Sequence, residues 1–255
     1  LHVRSRRQRQ MCIRDRERHI AACLRAVTQA ARHPLLQAEP VRIVVVLDYC
    51  RDGTARLAAA WPVQCLAIRA RNVGVARATG SQLLLDAGAR WLSHTDADTI
   101  VSPRWLVDQL SLAADVVCGT VGVAGWAAHG PRAQALQRHF AAHYQDRDGH
   151  RHVHGANLGV AAQAYRRVGG FAPLTCSEDQ TLVDRMAQAG CTIAWTALPR
   201  VTTSARPYSR VEGGFATALR TADPAAMPDP PPAVDARFAP DRSPAADAGA
   251  APASR

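Results

Sequence analysis

Val41-Arg-Ile-Val-Val-Val-Leu47 is an almost unbroken β-branched run. It offers water no polar face, so it predicts a strand buried on both sides, as in a parallel sheet. Before it the period changes: Ile20, Leu24, Val27 and Ala31 recur at i, i+4, i+7 and i+11, which predicts a helix from Glu17 that His33-Pro34 stops. After it, Asp52-Gly53 turns the chain into a short helix over Thr54 to Ala60, and Val63 to Ile68 predicts a second strand. A helix opens within residues 71–80 and runs to about Ala87. The next apolar stretch begins at Trp91-Leu92 and runs into two carboxylates one residue apart, Asp96 and Asp98. Ser102-Pro103 then reads as a helix start, with Ser as cap and Pro at the first turn, and the helix extends to Ala114. The rhythm is β-α-β-α-β-α, which implies right-handed crossovers and an α/β fold, a Rossmann-like, mostly parallel sheet flanked by helices.

Farther along, Val116 to Ala124 predicts a strand and Pro131 to about Gln145 an amphipathic helix through Leu136, Phe140 and Tyr144. A polar loop, Asp146 to His154, carries three alternating His. Gly155 to Val160 reads as a short strand, Ala162 to Val168 as a helix closed by Gly169-Gly170, and Ser177 to Ala189 as a helix stopped by Gly190. Thr192 to Thr196 and Arg200 to Ser204 are two short strand candidates. From about Thr221 onward Pro, Ala and Asp dominate, a composition that predicts disorder. Residues 1–16 follow neither period. The expected organisation is an arm over 1–16, one domain over 17–220 and a disordered tail over 221–255.

Composition adjusts this picture only in part. All 31 basic residues are Arg and the net charge is +10, which invites a nucleic-acid reading. The distribution argues against it: residues 1–18 hold seven Arg against Asp15 and Glu17, and the remainder is scattered with few aromatics for base stacking. The seven Cys form no C-x-x-C pair, so neither a zinc module nor a thioredoxin-type site is supported, and dispersed thiols suit a reducing compartment. No apolar run reaches the roughly 18 residues needed to span a bilayer. A soluble cytoplasmic protein is expected, with peripheral membrane contact through Arg left open. His139 and His143, with His150, His152 and His154, have tempting spacing for zinc, but no Cys or clear fourth ligand joins them.

Asp96 and Asp98 fall where a strand ends and a helix has not begun, the carboxyl edge at which open α/β sheets bind ligands. Two acids so close repel unless a cation sits beside them. Oxygen ligands of this kind suit Mg²⁺ or Mn²⁺ held together with substrate phosphates. Alone, D-x-D is more often a solvated turn. Ser177-Glu-Asp-Gln180 likewise matches a helix capping box, Ser at N-cap and Gln at N3.

Six segments occur in one order: Val44-Val-Val-Leu-Asp48 with Asp52-Gly-Thr54; Arg71-Asn-Val-Gly-Val-Ala-Arg77; Thr95-Asp-Ala-Asp98; Gly155-Ala-Asn157; Gly169-Gly-Phe171; and Ser177-Glu-Asp179. Over roughly Glu17 to Arg220 this resembles a family 2 glycosyltransferase of the GT-A fold. The resemblance implies transfer of a sugar from a nucleotide-diphospho-sugar to an acceptor hydroxyl. It implies that Asp48 contacts the nucleoside and that Asp52, Asn72, Gly74 and Arg77 line the same cleft. Asp96 would lie near the ribose and sugar, and Asp98 would bind a divalent ion, Mg²⁺ or Mn²⁺. Asp179 would be the catalytic base with Glu178 beside it, and Gly155 and Asn157 would shape the floor of the sugar site. Direct attack with one base implies inversion.

The sequence departs from that pattern twice. The family opens with an apolar strand ahead of the first helix; residues 1–16 are Arg-rich instead, Met11-Cys-Ile-Arg-Asp-Arg16 looks like translated adaptor sequence, and the first strand is expected to be missing. Many relatives supply a metal-binding His after the base helix, whereas here no His follows His154 and Thr202, Thr203 or Ser204 stands in that region. Weaker metal binding is expected. The Q-x-x-R-W motif of processive synthases is absent, which favours single-sugar transfer. The rivals are a nucleotidyltransferase, which would need a Gly-rich loop with a basic residue after the first strand, and a truncated nucleotide-binding protein without turnover.

Overall fold

The structure is a computed structural model that describes residues 16–207 and the backbone of residues 6–13. The tail expected from residue 221 lies outside the described residues. Eight strands form one sheet in the order β3-β2-β1-β4-β7-β6-β8-β5, with β1 Arg6–Ile13, β2 Val41–Asp48, β3 Gln64–Ile68, β4 Ala89–Asp96, β5 Thr99–Val101, β6 Val116–Ala124, β7 Leu158–Ala161 and β8 Ile193–Ser204. The helices are α1 Glu17–Ala31, α2 Thr54–Ala59, α3 Val73–Asp86, α4 Trp105–Ser111, α5 Ala133–His143, α6 Ala162–Arg167 and α7 Glu178–Gln188.

The position expected to be vacant is taken. The backbone of Arg6–Ile13 runs parallel to β2 on one side and to β4 on the other, as the central strand of the parallel half. Period alone gave no strand there, because the pairing is specified by its neighbours: β2 and β4 each present an open parallel edge, and backbone donors and acceptors can complete it whatever the side chains.

β2 bears out the reading of its sequence. Ile43, Val45 and Leu47 enter one core with Ile20, Leu24 and Val27 of α1, while Val44 and Val46 enter the other with Leu84 of α3 and Leu182 of α7. The side chains alternate because successive residues of a strand face opposite sides. Beyond β4 the sheet changes character. β7 is antiparallel to both β4 and β6, and β6 pairs in parallel with β8.

Three expectations need adjusting. The two short strands expected at the end are one, β8, which carries Pro199 at a register shift against β6. β5 is three residues long, too short to show a period, and pairs antiparallel with β8. Ser102 does not cap α4: that helix begins at Trp105 with Arg104 at the cap position, and Ser102 donates its N–H to Arg200 O at 3.0 Å.

Candidate active site

The parallel half reverses direction between β1 and β4: β2 follows β1 on one side, and the chain then crosses to β4 on the other. A cleft outside the carboxyl ends of such strands is where this architecture takes ligands. Asp48 ends β2 and Asp96 ends β4. Past Asp48 the chain turns through Tyr49 in the left-handed region, φ 55°. A cleft of about 400 Å³ opens there between Leu47, Tyr49, Cys50, Arg51, Ile68 and Arg69. The guanidinium of Arg71 lies 4.0 Å and that of Arg51 4.6 Å from the Tyr49 ring centre. Hydrogen bonds from Arg51 and then Arg71 hold the Tyr49 phenol below the usual range.

Four residues expected to touch nucleotide are employed in building this edge. Asp48 is buried, and its carboxylate accepts from the backbone N–H groups of Ala70 at 2.9 Å, Arg71 at 2.8 Å and Asn72 at 2.9 Å. It shapes the loop into α3. Asp52 accepts from the N–H and hydroxyl of Thr54 and from the N–H of Glu17, while Glu17 accepts from Gly53 N–H at 3.1 Å, so the first turns of α1 and α2 satisfy each other. Burial pushes the Asp52 carboxyl up, but the Thr54 and Glu17 donors outweigh it and the net shift is downward. Asn72 caps α3 through Val75 N–H and ties Pro173 O with its amide. Gly74 lies so close to residues 172–174 that an added Cβ would stand 2.0 Å from Ala172 O. Its contribution is backbone approach.

Arg77 is not a surface charge. It is 3 % exposed. Its Nη2 donates to Asp96 at 2.7 Å, its Nε to Glu178 at 2.9 Å and its Nη1 to Gly155 O at 2.9 Å. Gly155 has room for this only because it lacks a side chain; a Cβ would stand 2.4 Å from Nη2. The N–H of Gly155 in turn donates to Asp179 at 2.6 Å. One guanidinium and one peptide thus join Asp96, Glu178 and Asp179 into a single frame. Burial raises the Glu178 carboxyl, against the pull of Arg77 and with a further push from Asp179. Asp179 is half-buried and also accepts the N–H of Gln180 at 2.9 Å. Ser177 makes no side-chain cap; it holds a left-handed φ of 60° and turns the chain into α7. The capping-box reading is therefore corrected: the first-turn acids bind Arg77 and Gly155.

Asn157 does not form an open floor. It is fully buried, donates to Thr120 O at 2.7 Å and Pro199 O at 2.6 Å, and accepts from Trp105 Nε1 at 2.8 Å. It ties β6 and β8 to α4 behind the site. The His-rich loop forms a stack: Tyr144 lies 4.4 Å from His152, ring centre to ring centre, and its hydroxyl is 2.9 Å from His154 Nε2. His154 is pushed down to about 4, first by burial and then by His152 and His150. His94, fully buried under Phe171, is lowered by burial and by Arg77. Such histidines are neutral in the fold and charged when it opens in acid. The contribution of His154 is complete above pH 6.5 and is lost as pH falls from there toward 4, on the order of 3 kcal/mol. We expect urea midpoints to drop between pH 7 and pH 5, and the drop to shrink in His154→Gln.

Asp98 meets two cations of this chain. Its side chain is 2 % exposed, Arg16 Nε lies 3.2 Å from its Oδ2, and Arg206 pairs with the same oxygen. Nothing in the sequence marked either arginine: Arg16 was the last residue of the arm, and Arg206 stands two positions past β8. Among the described residues no three His, Cys, Asp or Glu side chains gather as a metal site. The donor set around Asp98 therefore does not fit a divalent ion as it stands, since a cation placed there meets two guanidinium groups. Cys65, Cys118, Cys176 and Cys191 are free thiols, and no described helix is long and apolar enough to cross a membrane.

The sheet order, the flanking helices and the acidic carboxyl edge define the GT-A glycosyltransferase fold. No protein-family model matches the chain, and no curated protein is similar to it in sequence. Among solved structures it is similar to the mannosyltransferase PcManGT from Pyrobaculum calidifontis in complex with GDP-Man and Mn²⁺, at TM-score 0.55 and 17% identity, over 82% of this chain and 59% of that one. It is similar to S. aureus TarS 1-349 in complex with UDP-GlcNAc, at TM-score 0.58 and 13% identity, over 82% and 61%. The glucosyl-3-phosphoglycerate synthase from Mycobacterium tuberculosis, solved with Mn²⁺, UDP and glucosyl-3-phosphoglycerate, follows at TM-score 0.51 and 15% identity, over 78% and 70%. The chain spans about three-fifths of the length of the first two.

Proposed function

We propose that this chain is a glycosyltransferase that moves one sugar at a time from a nucleotide-diphospho-sugar to an acceptor hydroxyl, with inversion. The observation that carries this reading is the frame in which Arg77 and Gly155 hold Asp96, Glu178 and Asp179 together at the ligand-binding edge of the sheet. The acceptor hydroxyl must lose a proton as it attacks the anomeric carbon. Asp179 takes it, its carboxylate held by the N–H groups of Gly155 and Gln180. The bond from the anomeric carbon to the β-phosphate oxygen breaks, and its electron pair leaves with the nucleoside diphosphate. Asp96, about a third exposed and held by Arg77, faces the sugar and ribose. The nucleobase enters the cleft beside Tyr49, Arg51 and Arg71.

Nucleotide-sugar donors and Mn²⁺ in solved neighbours of this fold support the reading. The cytoplasm, a reducing compartment, suits a chain whose Cys form no C-x-x-C pair, and residues 17–220 are its catalytic domain. The test is a thermal-shift panel of UDP, GDP, TDP, ADP and CMP, each with and without Mn²⁺. One diphosphate at about 100 times its dissociation constant should add roughly 2.7 kcal/mol, raising the midpoint by several degrees. No shift with any of them sinks the reading. The nucleotide that binds selects the donors for an NMR time course, in which a product with the donor's own anomeric configuration would refute inversion.

A further inference from the structure

We propose that Arg16 and Arg206 hold the donor's diphosphate in this chain, so that a divalent ion is dispensable for nucleotide binding. This rests on the transferase reading. Asp98 is the carboxylate that a metal-bridged diphosphate would need, and it is 6 % exposed. A carboxylate so buried keeps its charge only with a cation beside it. The chain itself supplies two, both at the same oxygen. One negative and two positive charges leave the cluster with a net positive charge, the sign a diphosphate seeks. His19, on the first turn of α1, registers the same field: after burial, Arg16, Arg206 and Arg18 are what lower its pKa.

The backbone fixes both arginines at the carboxyl edge. Arg16 links β1 to α1, and its N–H donates to the buried hydroxyl of Thr54 at 2.7 Å. Arg206 follows Ala205, whose N–H donates to Ala124 O at 2.7 Å at the end of β6. The pairing of Thr99 with Thr203 carries the end of β8 alongside the turn that bears Asp98. A guanidinium presents a planar fork that matches phosphate oxygens two at a time. It can therefore hold the diphosphate and neutralise the charge that develops on the leaving β-phosphate. A metal ion would have to displace these groups from Asp98 before binding there.

The experiment is calorimetric titration of the full chain with UDP and with GDP, in EDTA and in Mn²⁺, for the wild type, Arg206→Gln and Arg206→Lys. Expected is a dissociation constant that EDTA changes by less than about threefold and that Arg206→Gln weakens by about tenfold or more, as loss of a charge-assisted hydrogen bond predicts, with partial recovery in Arg206→Lys. Affinity should also fall with added salt. Arg206 is a third exposed, so folding should survive; Arg16→Gln, made alongside, should weaken binding in the same way. Binding that requires Mn²⁺, or that Arg206→Gln tightens, overturns the proposal and leaves the transferase reading intact. Absence of binding to either diphosphate with or without Mn²⁺ overturns both.

Discussion

Asp179→Asn is expected to lower the proposed sugar transfer by about 10²–10⁴-fold, the usual contribution of a positioned general base, and to leave nucleoside diphosphate affinity unchanged. The reasoning is local. Asp179 sits at the start of α7 with one oxygen on Gly155 N–H and the other on Gln180 N–H. An amide of the same shape keeps one of these bonds, so the fold is retained, but it cannot accept the hydroxyl proton. Steady-state rates with the donor found by thermal shift, set beside calorimetric affinities, separate the two quantities. A variant within tenfold of wild-type turnover would remove Asp179 from the base role. Equal losses of rate and nucleotide affinity would make it a binding group instead.

Arg77→Met is the more damaging change to the protein itself. It removes the cation from between Glu178, Asp96 and Gly155 O while keeping most of the side chain's volume. Breaking a buried pair from one side typically costs about 3–5 kcal/mol, here a fall of about 10 °C in melting temperature. The pH dependence gives the mechanism away. Burial already raises Glu178 above its ordinary 4.5, and Arg77 is what pulls it back. A carboxyl raised by folding contributes stability that is complete below its unfolded pKa and is lost as pH climbs through the folded one. Without Arg77 that loss extends toward neutral pH. The deficit relative to wild type should therefore be larger at pH 8 than at pH 5, and Glu178→Gln in the same chain should recover part of it at pH 8. A pH-independent deficit would mean that packing, not charge, explains the cost.

The fold was legible where one residue's environment depends on its near neighbours in sequence. The Val41–Leu47 run, the α1 stripe and the Asp96 edge all repeat over a few positions, and all formed as read. The site was legible as an inventory but not as a set of roles. Asp48 spends its oxygens on N–H groups at positions 70–72, and Asn157 spends its amide on Thr120 and Pro199. Both choices are made by the sheet order, which brings together segments far apart in the chain. Arg77 could have been suspected: a charged residue on the helix turn after Gly74 faces inward if that turn packs closely, and Gly74 and Gly155 admit a backbone and a guanidinium because neither carries a Cβ. Arg206 carried no pattern at all. It matters because a strand twelve residues long, read as two, delivers it to Asp98.

The antiparallel strand β7, wedged between the two halves of the sheet, also sets the order of assembly on the ribosome. β4 has left the tunnel with one edge paired to β1, but its other edge waits for residues 158–161. At 5–20 residues per second that interval is roughly 3–12 s. β6 waits longer still, for β8 at residues 193–204. The hydrophobic edge Trp91-Leu92 is open to foreign strands until β7 arrives, and the Val116-Val117 pair until β8 does. Non-local pairing of this kind folds slowly, so the nascent chain is at greatest risk of aggregation between the synthesis of β4 and the arrival of β8, and a holding chaperone would act in that window.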